Sequence, residues 1–176
     1  MRAIRTALYL TLASQGSLGA PAQARQEASC AELSGSTPNW QITNAASSDW
    51  PGGASGRVEL FARHAPTGVL ADCDVEYVLD ADGKIVDYDP AAVVVCTNFA
   101  ETTLNTTVTL DMDTLLLNLS STWSCEGDEK TYAATGSTEL KRDTSPGACR
   151  VDPSQVGDAT TCPIADVEVE GTLVES

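Results

Sequence analysis

The run Cys73-Asp74-Val75-Glu76-Tyr77-Val78-Leu79 constrains this chain most, because it sorts Cys73, Val75, Tyr77 and Leu79 to one side and Asp74 and Glu76 to the other. Successive side chains of an extended strand point to opposite faces, so such a run has one buried and one wet face, as in an antiparallel sheet on a core. The pattern recurs. Val58, Leu60 and Ala62 share a face in 57–63, Val108, Leu110 and Met112 alternate, and so do Leu115, Leu117 and Leu119. No long stretch repeats at the helical period. Trp40 and Ile42 mark a first strand, and further strands are expected at 92–97, 106–112, 115–124, 130–140 and 167–174. About eight short strands spaced roughly 8–12 residues apart predict an all-β fold, an antiparallel barrel or sandwich-like barrel. Asp82-Gly83, between β-prone runs, predicts a hairpin over 80–86 with a type I′ turn, and Asp113 sits at a second. The stretches 44–56 and 143–165 read as loops.

The front of the chain is of a different kind. Arg2 and Arg5 precede the apolar run Ala7-Leu8-Tyr9-Leu10-Thr11-Leu12-Ala13, and Ala22-Gln23-Ala24 has the A-x-A cleavage pattern. This predicts a secretory signal peptide over 1–24, whose apolar run is too short to span a bilayer. The expected mature protein is a poorly ordered segment 25–38 anchored at Cys30, followed by a single domain over 39–176, secreted to the extracellular space.

An even set of six cysteines, Cys30, Cys73, Cys96, Cys125, Cys149 and Cys162, fits that route and implies a disulfide framework with 15 alternative pairings. A zinc site does not fit, because there is no C-x-x-C and His64 is the single histidine. Asn105-Thr106-Thr107 and Asn118-Leu119-Ser120 are candidate N-glycosylation sequons at Asn105 and Asn118. The formal charge of −15 disfavours nucleic acid and anionic lipid surfaces, so neither nucleic acid nor membrane is expected as a partner. Solubility is the plainer reading of that charge than a basic partner.

Catalytic chemistry finds little footing. His64 ends a strand in Ala62-Arg63-His64-Ala65-Pro66 and reads as a surface or loop histidine, and there is no G-x-S-x-G. No catalytic residue is assigned. Asp80, Asp82 and Asp87 surround the first hairpin, but Gly83 comes too early for an EF-hand and no Glu closes the loop, so no metal and no cofactor is expected. A carboxylate pair of the glycosidase kind is not excluded by counting. Trp40 and Trp123 lie within strands and read as core. Trp50, in Trp50-Pro51-Gly52-Gly53, is the candidate binding-loop aromatic, or else a plug over a barrel end.

Taken with its neighbours, the cysteine frame is more specific. Ser29-Cys30, Asn39-Trp40-Gln41-Ile42, the Cys73 and Cys96 bracket, Tyr132-Ala133-Ala134-Thr135-Gly136, Cys149-Arg150 and Cys162 together resemble the major-allergen family first known from Alternaria, small secreted fungal proteins. The resemblance covers roughly 29–174. It implies an antiparallel β-barrel with Cys73 paired to Cys96 and Cys149 to Cys162. In the allergen the cysteine matching Cys30 links two subunits. Here Cys125 supplies an additional partner, so an internal Cys30–Cys125 bridge and a monomer or non-covalent dimer are expected. The family's associations with plant infection and host defence imply an effector-like, non-catalytic protein that binds a host extracellular protein. A carrier of a small apolar or aromatic ligand in the barrel mouth, a glycan-active enzyme and a structural cell-wall protein are the alternatives.

Overall fold

The computed structural model describes residues 28–155 and 157–174. The expected leader over 1–24 lies outside the described residues. The elements are a helix α1 (Cys30–Ser36) and strands β1 (Trp40–Trp50), β2 (Ser55–His64), β3 (Leu70–Leu79), β4 (Ile85–Asp87), β5 (Val94–Val95), β6 (Thr97–Asn98), β7 (Asn105–Asp111), β8 (Leu116–Ser124), β9 (Thr131–Glu139), β10 (Arg150–Asp152), β11 (Ala159–Pro163), β12 (Val167–Val169) and β13 (Thr172–Leu173). All pairings between strands are antiparallel. One sheet runs β10-β11-β1-β2-β3-β4, with β12 also on β1 and β6 also on β3; the other runs β13-β9-β8-β7-β5. The fold is all-β and sandwich-like. The two ladders stay separate among the described residues, so it is not one closed, hydrogen-bonded barrel.

The expected strands at 92–97 and 167–174 each divide in two, and each pair crosses between sheets. β5 pairs with β7 in the five-stranded sheet, while β6, beyond Cys96, pairs with β3 in the other. β12 pairs with β1, and β13, beyond Glu170 and Gly171, pairs with β9. Corners of this kind are how packed sheets pass strands to one another. Gly171 is required at the second corner, because a Cβ there would lie 1.7 Å from the Pro38 carbonyl oxygen.

Both inner faces carry the alternating residues. Val58, Leu60, Val75, Val108, Leu110, Leu117 and Leu119 are all buried. Each such side chain is worth roughly 1.5–3 kcal/mol in transfer from water. Trp40 and Trp123 are buried too, and their indole N–H groups find partners: Trp40 Nε1 donates to Ser121 Oγ at 3.0 Å, and Trp123 Nε1 to Ser34 Oγ at 2.8 Å. Disulfides join Cys30 to Cys125, Cys73 to Cys96 and Cys149 to Cys162, so the three pairs are those named above.

Four local expectations change. Residues 30–36 form a helix rather than a loose segment, held by a capping box between Ser29 and Glu32 and by the bridge from Cys30. Strand β1 runs through 44–50, where a loop was expected. A bulge between Thr43 and Ala46, with Asn44 at φ 51°, breaks the alternation, so the inward residues are Ile42, Ala45 and Ser47. Within 143–165, β10 and β11 form a ribbon beside β1, tied by Cys149–Cys162. Lastly, the first hairpin is not type I′. Only Gly83 has positive φ (78°), and the Asp80 carboxylate accepts from the Asp82 and Lys84 backbone N–H groups.

Candidate functional site

A cleft of about 750 Å³ opens where the ends of β1, β2 and β3 meet β4 and the segment leading into β5. Ser48 and Trp50 come from β1, Gly56 and Arg57 from β2, and Glu76, Tyr77 and Val78 from β3; Asp87, Tyr88, Asp89 and Val94 complete the wall. Gly56 makes room for the Tyr77 ring, since a Cβ there would lie 2.1 Å from it. The Tyr77 hydroxyl donates to Asp49 Oδ1 at 2.5 Å. Burial first, and the Asp49 carboxylate second, push its ionisation well above the usual tyrosine range. Tyr88 meets Tyr77 edge-on, with centroids 6.3 Å apart, and its hydroxyl donates to the Leu110 carbonyl of the opposite sheet. Burial, then the Asp111 and Asp89 charges, raise the Tyr88 pKa as well. The two tyrosines are thereby fixed from both sheets.

Trp50 is half-buried and borders this cleft. Its ring lies against the Gly53 backbone, where a Cβ would come within 2.1 Å, and Nε1 donates to the Gly157 carbonyl at 3.1 Å. It is thus a wall held by two loops, not a free aromatic. Arg57 is already engaged, 3.1 Å from Glu59 and 3.5 Å from Asp74. The remaining charges on the wall are the carboxylates Glu76, Asp87 and Asp89. The cleft therefore presents aromatic surface and excess negative charge. Beside it the hairpin exposes Val78, Ile85 and Val86, the last at 59%.

No protein-family model matches the chain, and no curated protein or solved structure is significantly similar to it.

His64 stands elsewhere. It is wholly buried, not on the surface as the sequence reading had it. It ends β2 in phase with Val58, Leu60 and Ala62, so strand parity carries it inward. Its ring packs edge-on to Trp123 at 4.3 Å and tilted to Trp40 at 5.8 Å, and Nδ1 pairs with Thr67 Oγ1 at 3.0 Å. Among the described residues Nε2 has no hydrogen-bond partner, and burial lowers the pKa to about 4. The imidazole is removed from the cleft and from solvent. The Asp80 carboxylate is turn chemistry and Asp87 belongs to the cleft wall, and among the described residues no group of three or more His, Cys, Asp or Glu could hold a metal ion. Asn105 and Asn118 are both exposed, on the outer face of the five-stranded sheet and away from the cleft.

The sequence reading found Trp50 but missed Tyr77 and Tyr88 as cleft walls. Alternation along β3 points Tyr77 inward, and it is 5% exposed. What places it at an opening is the end of the sheet, which alternation does not encode.

Proposed function

We propose that the chain is a secreted, non-catalytic binding protein that receives a basic, partly apolar segment of a host extracellular protein in the cleft of the eight-stranded sheet. The observation that carries this reading is the cleft itself: Trp50, Tyr77 and Tyr88 are held rigid by hydrogen bonds, and Glu76, Asp87 and Asp89 stand beside them. Rigid aromatics set in a rim of one sign of charge supply contact area and steering together. Val78, Ile85 and Val86 extend the apolar surface on the adjoining hairpin. Three disulfides in a chain of this size suit an oxidising, extracellular setting, in keeping with the A-x-A leader pattern. The burial of His64 leaves the cleft without an imidazole base, so chemistry of the Ser-His or Cys-His kind has no footing there. The resemblance to fungal small secreted proteins points to a plant host and to modulation of its defences.

The test compares the mature protein with Trp50→Ala, Tyr88→Ala and Val86→Asp variants as bait for plant apoplastic fluid. A protein retained by the wild type and released by all three variants, with salt weakening the complex, is the expected result. Equal recovery by wild type and variants refutes the cleft as the binding surface. The edge-on Tyr77–Tyr88 pair also supports a small aromatic ligand. Saturable quenching of tryptophan fluorescence by a phenolic panel, lost in Trp50→Ala, favours that second reading.

A further inference from the structure

The outer face of the five-stranded sheet is chemically unlike the rest of the surface. Across its strands, Thr107 stands opposite Ser120, Ser120 opposite Thr135, and Thr135 opposite Thr172; the next row pairs Thr109 with Asn118 and Asn118 with Ser137. These side chains are hydroxyls and one amide, and they line a shallow depression of about 630 Å³. The outer face of the other sheet carries Arg57, Glu59, Asp74 and Glu76 at matching positions. In a chain of formal charge −15, two adjacent uncharged rows across the sheet, bounded by Asp111 and Glu139 in the next row and by Glu170 at the rim, require a reason.

Both sequons open onto this face. On a strand, the acceptor asparagine and the hydroxyl residue two positions on point the same way. Asn118 and Ser120 are both exposed on β8, while Leu119 between them is buried. Asn105 and Thr107 stand outward on β7, while Thr106 is buried. Asn118 Nδ2 lies 3.2 Å from Thr109 Oγ1, directly across the pair. Asn105 is four residues from Thr109 along β7, so the two acceptors are roughly 14 Å apart on one face. The edges of the sheet are its weak points. Val93 and Val95 at the β5 edge are 63% and 66% exposed, and Leu173 and Val174 at the β13 edge are 40% and 48% exposed. The two-residue length of β5 and β13 limits backbone pairing at these edges, but their exposed apolar side chains still form sticky surface that a cover would shield.

We propose that Asn105 and Asn118 are N-glycosylated, and that the two oligosaccharides lie on the hydroxyl ladder and screen the β5 and β13 edges. The inference rests on the secretion reading above. In the transfer, the bond from the anomeric carbon of the reducing sugar to its polyprenyl-diphosphate carrier breaks. The asparagine Nδ2 bonds to that carbon and gives up one proton, and the polyprenyl diphosphate leaves. A sugar tethered at Asn118 is held at high local concentration over the depression, so weak hydrogen bonds to Thr109, Ser120, Thr135 and Ser137 suffice to keep it there. The face is then closed to protein partners, which leaves the cleft on the opposite sheet as the open surface.

The full chain, with its own leader, is expressed in yeast. The secreted protein is weighed intact before and after peptide-N-glycosidase, and the product is mapped by peptide mass. The expected result is loss of two glycans, with aspartate appearing at 105 and 118. Asn105→Gln and Asn118→Gln should each remove one glycan, and so should Thr107→Ala and Ser120→Ala, which leave the asparagines in place. Deglycosylation of the folded protein should shift light scattering from monomer towards larger species. Protein recovered from the medium with either asparagine bare overturns the proposal and leaves secretion intact. Glycans whose removal leaves the protein monomeric overturn the screening role. Protein retained in the cytosol with residues 1–24 attached overturns the secretion reading and this inference with it.

Discussion

Lowering the pH from 7 to 5 should weaken the fold through His64. The imidazole is buried between Trp40 and Trp123, its Nε2 has no partner among the described residues, and its pKa is lowered from 6.5 to about 4. In the unfolded chain it takes a proton below pH about 6.5, whereas in the folded chain it stays neutral down to about 4. The unfolded state therefore binds more protons across this window, and stability falls as the pH falls. At about 1.4 kcal/mol per unit, the loss is about 2 kcal/mol by pH 5 and about 3 kcal/mol in all, complete below pH about 4. Glu32, Asp111, Asp128 and Asp143 have pKa values lowered by hydrogen bonds, so their stabilisation is present above their unfolded values near 4 and is lost only as the pH falls lower. Urea unfolding at pH 7, 6 and 5 measures the slope, and His64→Leu should flatten it. A stability that is level between pH 7 and 5, or a His64 ring resonance that titrates near 6.5, would refute the burial reasoning.

Other perturbations test other parts of the structure. Replacing both Cys30 and Cys125 by Ser opens a loop of sequence separation 95, and should cost about 4–5 kcal/mol in chemical denaturation on the chain-entropy scale. Gly171→Ala places a Cβ against the Pro38 carbonyl and should cost at least about 2 kcal/mol, read as a fall in melting temperature. Tyr77→Phe removes the hydrogen bond to Asp49 and should lower stability by about 1–2 kcal/mol in the same assay. In the wild type, a tyrosine absorbance titration should leave Tyr77 protonated at pH values where the others have ionised, because burial and the Asp49 charge raise it.

The parts of this fold legible in the sequence are those where one physical signal acts alone. β3, β7 and β8 alternate without interruption, and their inward residues are the buried ones. β1 was half-hidden because its bulge at Asn44 shifts the phase and its inward positions beyond it are the small Ala45 and Ser47. The ribbon of β10 and β11 buries little apolar surface and is held by a disulfide, so composition alone reads it as loop. Helix α1, seven residues with Gly and Ser in its second half, has too little length to show a period; its capping box was the available signal. His64 was misread because Arg63 and Pro66 look like a strand end at the surface, although the phase from Val58 pointed inward. Of the cleft, only Trp50 was legible. The rest of it depends on where strands stop and on Tyr88 reaching Leu110 of the other sheet, which are facts of tertiary placement.

The two sheet-crossing corners have a mechanical consequence. Residues 94–98 belong to both ladders, and so do residues 167–173. Neither sheet can slide over or peel from the other without breaking backbone bonds in both, and Cys73–Cys96 clamps one of the seams. The protein should therefore come apart in a single step, with amides of β3 and β8 reporting one common opening free energy by hydrogen exchange, and a proteolytic nick in a loop should leave the two halves locked together.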